Sequence, residues 1–242
     1  MRSALLLLVC WLCAVPMRGA DFDAANQLYD QGKYSDAKAG YEGLVSAGEW
    51  SANLFYNLGN ANQRLGSPGE AILGYERALA LDPGHPEARA NLDFLRGQTG
   101  AVPWPASWSD RLFPTRWVDA FVVAGTTAGW VAIFSLAAIF LTSRRDTSGL
   151  WFGFVVASLI AGYAAAALCY WDRDRARAIV TAKSAEVHLA PAESSTAGPV
   201  LPAGSEVRIL SERGDWIYCA LPTQSRGWIP ANALRRMWLR AS

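Results

Sequence analysis

Four cysteines and two histidines are the residues of this chain best equipped for covalent or acid–base chemistry, and their spacing gives them little to do. Cys219 and His188 are the pair that could act as nucleophile and base. Such a thiol must be activated, whereas Cys219 follows Tyr218 inside a β-rich run, the ordinary setting of a small buried side chain. His85 stands in a turn between helical segments. There is no metal-ligand spacing, no Gly-rich phosphate loop and no GxSxG elbow. The chain therefore reads as non-enzymatic, with no catalytic, cofactor-binding or metal-binding residue assigned. Disulfides are excluded as well. Cys10 and Cys13 lie in an N-terminal apolar stretch and Cys169 in another, so no domain holds two cysteines with which to staple itself. Polar and aromatic side chains, whose roles depend on the elements that carry them, are the other candidates: Asn26, Asn53, Tyr56, Asn60 and Arg64 in the first half, and Trp216, Tyr218, Trp228 and Pro230 in the last quarter.

The elements that must carry them are set by an uneven apolar pattern. Of the 242 residues 52% are hydrophobic and 18% charged, with a formal net charge of +1. The apolar residues concentrate in 4–15, 120–141 and 150–171. Residues 1–20 have the layout of a secretory signal peptide: Arg2, a short apolar run, Pro16 and a small-residue exit at Gly19-Ala20. Arg18 sits where a small residue is expected before the cut, which keeps an uncleaved anchor as the alternative. Segments 118–142 and 150–171 read as transmembrane helices; Ala120–Leu141 and Leu150–Trp171 lack ionisable residues and, at about 1.5 Å per residue, each reach roughly 33 Å. Trp104, Trp108, Trp117, Trp151 and Trp171 form the expected interfacial belt, and Gly125, Gly129, Ala157, Ala161 and Ala165 offer small faces for helix contact. The loop 143–149 closes a hairpin that anchors; without ionisable residues it gives no ion or proton pathway.

Orientation is contested within the sequence. The loop has Arg144 and Arg145, against Arg111, Arg116, Arg173, Arg175, Arg177 and Lys183 on the outer flanks, and that count puts both flanking domains in the cytoplasm. The signal peptide puts them in the periplasm of a bacterial inner membrane, and we follow it because an exported segment translocates largely regardless of charge. Residues 21–98 carry 11 acids against 6 bases, and residues 172–242 carry 7 against 10. Neither half shows the clustered basic stripe of a nucleic-acid binder.

Within 21–98, Gly32/Gly66, Ala37/Ala71, Tyr41/Tyr75 and Asn57-Leu58/Asn91-Leu92 recur at an offset of 34. Residues 52–85, with Phe55, Leu58, Gly59, Gly66, Ala71, Tyr75, Ala78 and Pro83, resemble the tetratricopeptide consensus. Residues 18–51 make a weaker first copy and 86–96 a closing helix, about two repeats in all. The marker residues are read as packing. The resemblance implies that Asn26, Asn53, Tyr56, Asn60 and Arg64 project from the first helices into a groove that takes an extended peptide or a partner helix.

After the Trp/Pro-rich linker 99–117 and the hairpin, residues 178–242 turn β-rich. Runs at 178–181, 186–189, 206–210 and 215–219 alternate with Gly/Pro-rich turns. Leu201-Pro202-Ala203-Gly204, Gly214-Asp215-Trp216 and Gly227-Trp228-Ile229-Pro230 resemble the bacterial SH3-type domain, with His188 where that family often has Arg. That resemblance implies a small barrel with an aromatic groove at Trp216, Tyr218, Trp228 and Pro230, and the peptidase domain such barrels accompany in cell-wall hydrolases is missing.

The fold class is thus a multidomain membrane protein: a tetratricopeptide repeat array, a two-helix transmembrane hairpin and a small all-β SH3-type barrel. This order of parts, with the Ala90–Arg96 segment before the linker, resembles the BatE family, tetratricopeptide components of the Bat aerotolerance operon. It implies an accessory protein working beside von Willebrand A-domain membrane proteins and a MoxR-type ATPase. A cell-wall (peptidoglycan) reader and a cytoplasm-facing assembly scaffold are the other readings.

Overall fold

The computed structural model describes residues 18–105, 112–113, 117–142, 147–174 and 176–238. The predicted signal run through residue 17, Trp108, Arg111, Arg116, Arg144, Arg145 and Arg175 lie outside these, and of Arg173 only the helical backbone is described.

Five helices form a tetratricopeptide-like array: α1 (Arg18–Asp30), α2 (Tyr34–Ser46), α3 (Ala52–Arg64), α4 (Pro68–Leu81) and α5 (Pro86–Thr99). Their starting residues, 18, 52, 86 and 34, 68, repeat the offset seen in the sequence. The predicted cut after Ala20 falls in the first turn of α1. Local signals set the boundaries. Ser51 caps α3 by accepting the Leu54 amide, and proline opens α4 and α5, where its missing N–H is harmless. Gly32 and Gly66 hold φ near +75° and +70° in equivalent turns, a conformation that glycine adopts at no steric cost. Between α3 and α4 the backbones nearly touch, and a Cβ on Gly59 would stand 2.7 Å from the Tyr75 ring. Phe55, Leu58, Gly59, Ala71, Tyr75 and Ala78 are buried, as their assignment to packing requires.

Two long apolar helices follow, α6 (Val118–Leu141) and α7 (Ser148–Asp174), packed side by side, and each is long and apolar enough to cross a membrane. A Cβ on Gly125 would meet the Cβ of Ala164 at 2.7 Å. The small-residue face differs from the predicted one. Ala128, Ala157, Ala164 and Ala167 are buried while Ala165 is exposed, because a period of 3.6 carries the contact from 157 to 164 and 167.

Only two residues separate α7 from β1 (Arg177–Val180), the first of seven strands: β2 (Ser184–His188), β3 (Ala197–Pro202), β4 (Glu206–Arg213), β5 (Trp216–Ala220), β6 (Arg226–Pro230) and β7 (Leu234–Arg236). Every pairing is antiparallel, in the order β3-β2-β6-β5-β4-β1-β7. β3 and β6 occupy segments that their Gly and Pro residues mark as turns. β3 tolerates Pro199 because it lies at a sheet edge, where a missing donor costs no central ladder bond.

The sheet is docked on the helical array, a contact the sequence did not announce. Alternation along β1 sends Ala178 and Val180 into the sheet's buried cluster and Ile179 into that of the array, among Ile72, Leu92, Leu95 and Ala101. A Cβ on Gly69 of α4 would stand 2.6 Å from the Val180 carbonyl. The Arg77 guanidinium donates to the Met237 carbonyl at 2.9 Å and to the Arg236 carbonyl at 2.8 Å, and its burial lowers its pKa to about 10. Arg96 joins Glu76 of the array to Glu206 of β4, and Arg177 lies 3.4 Å from the second oxygen of Glu206. The segment after α5 straps the joint: Val102 donates to Ser205 Oγ and accepts the Glu206 amide, and Arg208 lies 4.6 Å over the Trp104 ring.

Candidate functional site

The first helices of the array carry a ladder that repeats with the chain. In the first copy the Tyr41 hydroxyl donates to Asn26 Oδ1 at 2.8 Å and Asn57 Nδ2 donates to the same oxygen at 2.9 Å. In the second, Tyr75 donates to Asn60 Oδ1 at 2.8 Å and Asn91 Nδ2 donates there at 3.2 Å. Each tyrosine is a buried second-helix residue that reaches back to fix the amide of a first-helix asparagine. Burial pushes the Tyr41 hydroxyl up to about 12 and that of Tyr75 upward as well, so both remain protonated donors. An asparagine offers two donors and two acceptor sites, so each pair keeps amide capacity beyond the bonds that hold it.

Of the predicted groove residues, Asn26 and Asn60 are thus the fixed rungs. Asn53 and Tyr56 line a hollow of about 540 Å³ together with Phe22, Asn57, Asp82 and His85. The Tyr56 ring rests on His85 with centroids 4.8 Å apart. Arg64 lies at the other end of α3, its guanidinium 5.9 Å over the Tyr34 ring. Phe22 also lines a second hollow, of about 460 Å³, formed with Leu44, Trp50 and Leu54. The ladder residues Asn57 and Asn91 were missed as site residues although their recurrence was visible, since a repeated polar residue on a helix face reads first as repeat consensus. Phe22 and His85 gave no such signal.

The predicted aromatic residues of the sheet share one face. Register sets Trp216 opposite Pro230 and Tyr218 opposite Trp228, with His188 opposite Trp228 on the other side. The Tyr218 and Trp228 rings lie 5.0 Å apart, and His188 meets the edge of Trp216 at 5.0 Å. All four predicted residues are half-buried and stand outside the sheet's buried cluster. The alternate positions Ile217, Cys219 and Ile229 fill that cluster. Cys219 and His188 therefore point to opposite faces, and burial pushes the Cys219 thiol up to about 12, the reverse of activation.

No protein-family model matches the chain. A stretch of 80 residues, 33% of the chain, is 38% identical to a probable biofilm formation methyltransferase, WspC, of Pseudomonas aeruginosa; the chain spans only 19% of that relative's length. Among solved structures, YrrB, described as a TPR protein with an unusual peptide-binding site, aligns at 19% identity and a TM-score of 0.32 over 63% of this chain and 75% of its own.

Proposed function

We propose that this protein is a membrane-anchored, non-enzymatic adaptor whose helical groove holds an extended segment of a partner protein. The observation that carries the reading is the paired asparagine–tyrosine ladder, a polar face fixed in place by buried hydroxyls and left outside the joint with the sheet. The sheet is read as an SH3-type barrel with a second binding face at Trp216, Tyr218, Trp228 and Pro230. The apolar helices are read as inner-membrane spans, supported by outward-facing Val123, Phe134, Phe140, Phe152 and Leu159. In a BatE-like envelope complex linked to aerotolerance, the partners are von Willebrand A-domain proteins and a MoxR-type ATPase system. Two modest binding faces on one anchor raise the effective concentration of partners at the membrane.

Fusion of alkaline phosphatase and of a fluorescent protein after Ser242 tests the orientation. Active phosphatase and a dark fluorophore agree with periplasmic domains; the opposite pair establishes the cytoplasm-facing scaffold instead. Cross-linked partners should be lost from an Asn60→Ala/Arg64→Ala variant, and equal recovery refutes the groove. The half-exposed aromatic face favours a second reading, in which the sheet contacts peptidoglycan. Sedimentation of the solubilised full chain with purified sacculi, lost in a Trp216→Ala/Trp228→Ala variant, would establish it.

A further inference from the structure

The groove is charged on one side only. Its two hollows meet at Phe22, and among the described residues their charged lining is Asp82 and Glu87 in one and Glu49 in the other, with no Lys or Arg in either. Asp21 and Asp23, both exposed, flank Phe22 on α1.

None of the six bases of residues 21–98 lines either hollow, and the groove residue Arg64 stands at the far end of α3. Arg77 and Arg96 are drawn into the joint with the sheet. Lys38 faces Glu42 at 3.8 Å, and Arg89 donates to the Pro83 carbonyl. Arg64 lies over Tyr34, and Lys33 is in the turn after α1. The joint with the sheet takes up Arg77 and Arg96 together with Glu70 and Glu76, so the rest of the array keeps its full excess of acids, nine against four. The helix end at Pro86 contributes about half a positive charge, less than the two carboxylates beside it. Glu87 lies 3.1 Å from His85 Nδ1, the nitrogen that accepts the Ala88 amide, and so stands beside the Tyr56 ring that His85 supports.

We propose that the groove selects extended peptide segments bearing lysine or arginine, the cationic head against Asp82 and Glu87 and its methylenes across Tyr56 and Phe22. This rests on the peptide-groove reading above and adds the chemical class of the ligand. Asparagine amides bind the backbone of any sequence, so side-chain selection falls to the charged and aromatic rim. Lysine and arginine suit such a rim because an apolar stem and a charged head are held in one side chain.

The test uses the full chain in detergent and three fluorescent 12-residue peptides that differ only in carrying Lys, Gln or Glu at four positions. Anisotropy should rank Lys tightest, about fivefold over Gln as two rim ion pairs allow, with Glu weakest. The spread should collapse in 0.5 M salt and in an Asp82→Asn/Glu87→Gln variant, whose exposed substitutions spare the ladder. An Asn53→Trp variant, which fills the hollow, should weaken all three. Equal affinity for Lys and Gln, with sensitivity to N53W, overturns the charge selection and leaves the groove reading intact. Binding indifferent to N53W, or no binding of any peptide by the folded chain, overturns both.

Discussion

Ile179→Ala probes the joint between array and sheet most directly. Ile179 is fully buried and belongs to a strand of the sheet, yet its side chain lies in the cluster of the array. Truncation of a buried Ile costs about 2–5 kcal/mol through lost transfer energy and a cavity. At about 3 kcal/mol the constant for opening the joint rises roughly 150-fold. Because the cavity forms against α4 and α5 while the β1 ladder is untouched, the loss should appear on both sides of the joint. Amide hydrogen exchange resolved by segment is the assay. Exchange should accelerate in 68–81 and 86–102 as well as in 177–180. Val180→Ala, which empties the sheet's own cluster, should act chiefly on the strands. If I179A accelerates exchange in the strands alone, the two parts are independent modules and the docking argument fails.

Glu76 gives the joint a pH dependence. Burial raises its carboxyl pKa first and Glu206 raises it further, against the opposing pull of Arg96, Arg177 and Arg89. The docked form then holds the proton more tightly than the undocked one. This contribution is fully present below the ordinary carboxylate pKa and is lost as pH rises through the raised value. Thermal unfolding of the solubilised chain between pH 5 and 8.5 should show that fall, and Glu76→Gln should flatten it. Arg77→Met removes two bonds to the Arg236 and Met237 carbonyls and should cost about 1–3 kcal/mol, seen as faster exchange in 234–238. Gly59→Ala drives a methyl into the Tyr75 ring and should destabilise the array by about 1–3 kcal/mol in denaturant titration. Tyr75→Phe removes the hydroxyl shared by Asn60 and Gln63; it should cost about 1 kcal/mol and weaken groove ligands more than it lowers the melting temperature.

Residues that act on neighbours in sequence were the readable ones. The offset between Tyr41 and Tyr75 located five helices, and the uncharged runs located two more, because period and composition act locally. The aromatic residues of β5 and β6 were named through the resemblance to the SH3-type domain, and the structure adds the alternation that places 216 with 218 and 228 with 230 on one face. Strand β3 was not, because Gly198 and Pro199 look like a turn unless the strand is known to lie at an edge. The docking was illegible for a different reason. Ile179 is one apolar residue in a short strand, and nothing local tells that it leaves the sheet for a partner more than 70 residues upstream. Arg77 and Arg96 likewise look like ordinary helix-surface bases until Met237 and Glu206 are placed beside them. The acid excess of the array was legible in its 11 acids and 6 bases, but not which of them line the hollows.

The two-residue passage from α7 into β1 orders the events of synthesis. The array leaves the ribosome first, with Ile72 and Gly69 of α4 still uncovered, and the strand that covers them is translated only after both apolar helices. In the membrane arrangement proposed above, that strand reaches α4 only if the hairpin has inserted in full and returned the chain to the side it left. A chain arrested midway, or one whose second helix fails to cross, keeps an apolar patch on display. Completion of the joint thus reports on completion of insertion, and the uncovered face of α4 is what a protease or chaperone surveying unfinished chains would meet.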